Sequence, residues 1–164
     1  MRIEAFFILK PFIIYICSPM SEQIVIKNKK AYFEYHILDK YVAGIQLLGT
    51  EIKSIRAGKA NLSDGYCSFI GEELYAFNIH ISEYSMGSFY NHIPKRNRKL
   101  LLNKKELKKI KIKSQDKGLT IIPLQIFFNE RGFAKLEIAI AQGKKLHDKR
   151  DAMKERDAKR EMKN

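Results

Sequence analysis

Hydrophobic and polar positions alternate with a period of two over much of residues 28–140. The clearest stretch is Phe133–Ala141. There Ala134, Leu136, Ile138 and Ile140 share one face, and Lys135 and Glu137 share the other. That is the signature of a strand with one buried side. Strands are also predicted over Tyr32–Leu38, Ala43–Leu48, Tyr66–Ile70, Leu74–Ile79 and Thr120–Phe128, all rich in aromatic and branched residues. Gly71-Glu72-Glu73 and Asn129-Glu130-Arg131-Gly132 have the length and composition of hairpin loops. Asp39-Lys40-Tyr41 separates the first two runs, and Pro123 places its strand at an edge or at a bulge.

Two short helices interrupt the strands. Thr50–Ala57 sets Ile52 and Ile55 three apart and stops at Gly58, a residue suited to the position just past a helix end. Asn103–Ile112 opens on a capping residue with Glu106 three positions later. Its buried side holds Leu107 and Ile110, and its other side carries Lys104, Lys105, Lys108, Lys109 and Lys111. About six short strands with few helices predict a mainly β fold. The expected form is a small antiparallel OB-like β-barrel with short flanking helices, a common nucleic-acid-binding architecture.

The two ends differ from this middle. Residues 1–19 are apolar but broken by Lys10 and Pro11. The run is too short for a spanning helix of ~20 residues, and it lacks the uninterrupted core of a secretory signal. Met20-Ser21-Glu22 has the form of an ordinary start. The expectation is that residues 1–19 lie outside the fold and that the working protein begins at Met20; a weak membrane anchor is the runner-up. Residues 143–164 have Leu146, Met153 and Met162 as their only large apolar side chains, too few for a core-facing stripe. This basic tail is expected to be disordered when free and helical on a partner. The expected division is therefore an extension at 1–19, an RNA-binding barrel at 20–142 and a tail at 143–164.

Charge sharpens the picture. The chain of 164 residues carries a formal net charge of +13. Residues 95–117 hold eleven basic and two acidic residues, a net of +9, and residues 143–164 hold nine and five, a net of +4. The rest balances, so the excess forms two footprints for a polyanion rather than a dispersed solubility charge. Two cysteines exclude a disulfide framework and a four-cysteine zinc site. The four histidines are scattered, and no nucleotide-binding glycine pattern or nucleophile elbow is present. One catalytic alternative remains: Asp39 with Glu51 and Lys53 has the acid, then acid-x-Lys, form of a metal-dependent nuclease. Its competitor places Glu51 in the first turn of a helix, where a negative charge is favoured.

The basic loop is more informative. Lys95, Arg96, Arg98 and Lys99 follow Asn91-His92, with Phe89 and Tyr90 just upstream. Cations for phosphates beside rings for unpaired bases suit RNA. A general single-stranded RNA-binding OB-fold protein is therefore the alternative to a more specific reading.

The specific reading comes from longer motifs. Asn28-Lys29-Lys30-Ala31 with Tyr35, AGIQLLGTEIKSIRAGKANLSD from Ala43 to Asp64, RNRKLLLN from Arg96 to Asn103, KGLTIIPL from Lys117 to Leu124 and GKKLHDKRDAMKERD from Gly143 to Asp157 resemble the small protein B family. These are the SsrA-binding proteins of bacterial trans-translation. The resemblance implies a cytoplasmic, monomeric, non-catalytic adaptor with no cofactor and no membrane partner. It would bind the tRNA-like domain of tmRNA and sense the ribosome's empty mRNA channel with its tail. By position it implies RNA contacts at Leu101, Asn103 and Lys135. It implies ribosome contacts for the tail motif of Gly143, Lys144, Lys145, His147, Asp148, Lys149 and Arg150. Three positions depart from the family pattern: Val42 stands where a Glu is usual, Phe33 where His is frequent and Gln142 where Lys is usual. The first removes an acceptor, which a neighbour such as Glu51 is a candidate to replace.

Overall fold

The computed structural model describes residues 24–87 and 91–145. The element order is β1 (Ile26–Lys27), α1 (Lys29–Glu34), β2 (Tyr35–Ile45), α2 (Gly49–Arg56), β3 (Ala60–Asn61), β4 (Tyr66–Ile70), β5 (Glu73–Phe77), β6 (His80–Ile81), β7 (Arg98–Leu101), α3 (Lys104–Ser114), β8 (Leu119–Phe128) and β9 (Ala134–Gly143). All strand pairings are antiparallel. They run β4–β5–β7–β2–β9–β8, and β8 pairs back with β4. β1 lies on β8, and β3 pairs with β6 separately. The mainly β expectation is what the structure shows.

The main core follows from the alternation. Leu74, Ala76, Leu100, Ile121, Ile126, Leu136, Ile138 and Ile140 point inward and are joined by Ile55 from α2 and Ile110 from α3. A smaller cluster of Ala31, Ile122, Leu124, Ala139 and Ala141 lies under α1. β8 and β9 are therefore covered on both faces over part of their length. This explains why Ile121–Leu124 is buried without a break and why small residues, Ala139 and Ala141, sit where α1 packs.

Both helices read from the sequence are present. α2 ends in a Schellman motif: Gly58, at φ 71°, donates to Ile55 O, and Lys59 donates to Ser54 O. At the start of α3 the Glu106 carboxylate accepts from the Asn103 backbone N–H. Pro123 stands at a bulge rather than an edge, because the β8–β9 register shifts between Pro123 and Gln125 while β8 has neighbours on both sides.

The strand expected over Tyr32–Leu38 is corrected. Its first half is α1, a third helix. Asn28 is the reason. Its Oδ1 accepts from Ala31 N at 3.0 Å, capping α1. Its Nδ2 donates to Leu62 O and Pro123 O at 2.9 and 3.0 Å. These long-range bonds outweigh the β preference of an aromatic run. The separation at Asp39-Lys40-Tyr41 is also corrected: β2 runs straight through it, with a bulge between Ile37 and Asp39. No described helix is long and apolar enough to cross a membrane, and residues 1–23 lie outside the described part.

Candidate nucleic-acid interface

Three of the strands bring the expected RNA residues into one row. Gly44 of β2 pairs with Leu101 of β7 on one side and with Lys135 of β9 on the other. Phe127 of β8 continues the row beyond Lys135. Leu101 is 54% exposed, a large apolar side chain held in solvent at the end of its strand. Gly44 makes this possible, because a Cβ there would stand 3.2 Å from Leu101 Cβ. Asn103, two residues on, is exposed at the start of α3. Leu101 and Lys135 thus flank Gly44 in one row, and Asn103 follows two residues after Leu101.

The basic loop divides. Arg98 is fully buried. Its Nε donates to Glu51 Oε1 at 2.9 Å, and its guanidinium also donates to the carbonyls of Ile79, Pro94 and Arg96. The expectation that Arg98 reaches RNA is therefore corrected: its donors are spent inside the protein. Arg96 is turned the same way, donating to both Glu51 oxygens at 2.8 and 2.6 Å and to Gln46 O. Lys95 is exposed. Lys99 is half-buried and pairs with Glu73, a contact that raises its pKa, led by the hydrogen bond.

Glu51 is what sorts these cations. It is buried and also accepts from Leu48 N–H at 2.7 Å. Burial pushes its carboxyl pKa upward. Donation from Arg96 and the Leu48 amide, with the charges of Arg98 and Arg96, outweighs this and holds the group below its ordinary 4.5. His92 completes the frame. Its Nε2 donates to Ile81 O at 3.1 Å, since a carbonyl oxygen can only accept, and its Nδ1 lies 2.9 Å from the Thr50 hydroxyl.

This removes the nuclease alternative. Glu51 has four donors and no exposure, so it offers no lone pair to a solvent-borne metal. Asp39 is paired with Lys113 of α3, and Lys53 lies over the Tyr84 ring. No group of three metal-binding side chains occurs among the described residues. The suggestion that Glu51 replaces the carboxylate absent at Val42 is corrected for the same reason. Val42 is 52% exposed, and the acid across from it is Glu137, its register partner on β9. Glu137 lies 3.7 Å from Lys40 Nζ.

α3 extends the cationic surface. Lys111 pairs with Glu72 and Lys113 with Asp39. Lys104, Lys105, Lys108 and Lys109 are exposed and form no ion pair with a described residue. At the far end, Gly143 is still within β9, paired with Tyr35. Lys144 N donates to Glu34 O at 2.8 Å, and its Nζ donates to Tyr32 O at 3.3 Å. Lys145 is exposed. His147, Asp148, Lys149 and Arg150 lie outside the described residues.

Two features were not read from the sequence. Glu51 stands in the first turn of α2, as the competing reading placed it, but it also gathers Arg96 and Arg98, and Phe133 is 65% exposed beside Gly44 and Lys135. The Arg-x-Arg spacing of 96 and 98 hints that both arginines can reach one acid, but nothing local names that acid.

Comparison with known proteins now bears on this surface. The model of the SmpB protein family matches residues 25–164. The chain belongs to the SmpB family. Among curated relatives, an SsrA-binding protein of Cytophaga hutchinsonii is 60% identical over 141 residues, covering 86% of this chain and 92% of the relative. One of Christiangramia forsetii is 52% identical over 148 residues, covering 90% and 94%. A solved SmpB structure, described as tmRNA-SmpB on a journey to the centre of the bacterial ribosome, superposes with a TM-score of 0.67 at 46% identity. It covers 79% of this chain and 94% of that one. The resemblance read from the motifs is thus confirmed as SmpB family membership, and the exposed row and α3 lysines are features of an SmpB chain.

Proposed function

We propose that this protein is the tmRNA-binding adaptor of trans-translation. It binds the tRNA-like domain of tmRNA with the sheet face, brings it to stalled ribosomes and reads the empty mRNA channel with its tail. The observation that carries the reading is the row Leu101–Gly44–Lys135, followed in the chain by the exposed Asn103 and the exposed α3 lysines 104, 105, 108 and 109. SmpB membership and the tmRNA and ribosome context of the solved relative support it. The protein works without catalysis or cofactor, in the cytoplasm, as a monomer.

Each part has a physical task. Lys135, Lys95 and the α3 lysines meet phosphates, which sets affinity and salt dependence. Leu101 and Asn103 meet the RNA's shape and edges, which sets preference. Glu137 supplies a carboxylate acceptor opposite Val42. Arg96 and Arg98 hold the loop in place through Glu51, and Arg98, fully buried, does not reach the RNA. Gly143 and Lys144 set where the tail leaves the sheet; Lys145, His147, Asp148, Lys149 and Arg150 act on the ribosome.

The test is binding of a transcribed tRNA-like domain across a salt series. Affinity falls linearly in log–log form as salt rises, and Lys135→Ala reduces the slope by about one, because one phosphate contact and its released counterion are lost. An unchanged slope in Lys135→Ala would remove Lys135 from the interface. Equal binding of an unstructured RNA of the same length would favour a general single-strand binder.

A further inference from the structure

We propose that the groove between Leu101 and Phe133 receives one unpaired nucleobase of the bound RNA. The inference rests on the RNA-binding reading above and adds to it a site and a residue, Phe133.

The groove opens beside the Leu101–Gly44–Lys135 row and holds about 230 Å³. Gly44, Leu47, Ile52, Leu101, Phe133 and Lys135 are among the residues that line it. An apolar cavity of ~150 Å³ accepts benzene, so the space suits one base. Leu101 and Phe133 are 54% and 65% exposed. Two large, largely exposed apolar side chains lining one groove leave an unfavourable surface that a flat ring would cover.

Charge selects the occupant. None of the groove-lining residues is acidic. Lys135 is one of them, and the Arg56 guanidinium lies 3.9 Å from where a Cβ on Gly132, another lining residue, would stand. An apolar slot with a cationic rim matches a base followed by its phosphate. The chain's own residues 143–164, with a net of +4, are a poor match because that rim would repel them. Gly44 belongs to the same device: a Cβ there would press on Leu101 and shift the wall.

Phe133 is 65% exposed, so its variants are expected to keep the core, and an unchanged urea midpoint for each is the control. With the transcribed tRNA-like domain as probe, Phe133→Ala is expected to weaken binding about 5- to 150-fold, the range for one base losing its aromatic partner. Phe133→Trp retains the parental affinity, and Phe133→Leu does not. The salt slope stays unchanged in all three, because no phosphate contact is lost. Chemical probing shows one loop base that is protected by the parent and reactive with Phe133→Ala. Phe133→Ala binding within twofold of the parent, or Phe133→Leu binding as well as Phe133→Trp, would overturn the proposal. Either result leaves the RNA-binding reading standing, whereas that reading fails if the parent itself does not prefer the tRNA-like domain.

Discussion

Glu51→Ala is expected to lower the stability of the folded chain by about 3–5 kcal/mol, the range for removing one partner of a buried ion pair. The loss arises from what remains. Arg98 is fully buried and would keep its positive charge with carbonyls as its only partners. Arg96 would lose both carboxylate bonds, and the Leu48 N–H would lose its acceptor. Domains of this kind hold about 5–15 kcal/mol in total, so the variant sits close to unfolding. The effect is read as a shift in urea midpoint. Replacing Glu51, Arg96 and Arg98 together by apolar residues of similar size should be much less harmful, because no charge is stranded. A loss below ~1 kcal/mol for Glu51→Ala, the range of an exposed pair, would contradict the buried network.

The same group gives this effect a pH dependence. Its folded pKa is below the ordinary 4.5, so the unfolded chain takes up the proton first as pH falls. The contribution of Glu51 is complete above the unfolded pKa and is lost as pH falls through the folded one. The gap between parent and Glu51→Ala should therefore be constant near neutrality and narrow only in the acid range below about 4.5.

The second large effect separates the two footprints. A chain ending at Lys145 keeps β9, with Gly143 against Tyr35 and Lys144 bonded to Glu34 O and Tyr32 O. It lacks His147, Asp148, Lys149 and Arg150. Its affinity for the tRNA-like domain should stay within about twofold of the parent, since Leu101, Asn103, Lys135 and the α3 lysines are all retained. Tagging of peptides on stalled ribosomes, assayed in a reconstituted translation system, should fall to background. Loss of RNA binding in the shortened chain would mean that the tail belongs to the RNA site and that the division of labour is wrong. Retained tagging would mean that the tail does not read the ribosome.

How far the sequence was legible follows from the range of the forces involved. The β4–β5 and β8–β9 hairpins depend on local turns and period-two burial, and both could be read directly. So could α2 and α3, whose ends are marked by Gly58, Asn103 and Glu106. α1 was missed because Asn28 is held by Leu62 O and Pro123 O, 34 and 95 residues away. Local preference in an aromatic run cannot register such partners. β2 was divided in two because Asp39 and Lys40 look like a turn; in the fold they are successive strand residues beside a bulge, on opposite faces, and each has a charged partner, Lys113 for Asp39 and Glu137 for Lys40. The site divides in the same way. The concentration of charge at 95–117 is visible in one dimension. Its sorting into inward arginines and outward lysines is not, because Glu51 lies 45 and 47 residues from Arg96 and Arg98.

The most direct test of the account is recovery of the RNA that the full-length protein holds in cells, by crosslinking, capture and sequencing. The account predicts one dominant RNA, tmRNA, with crosslinks confined to its tRNA-like domain and, on ribosomes, to rRNA beside the mRNA channel. A broad spread of single-stranded RNAs with no enrichment of tmRNA would contradict it.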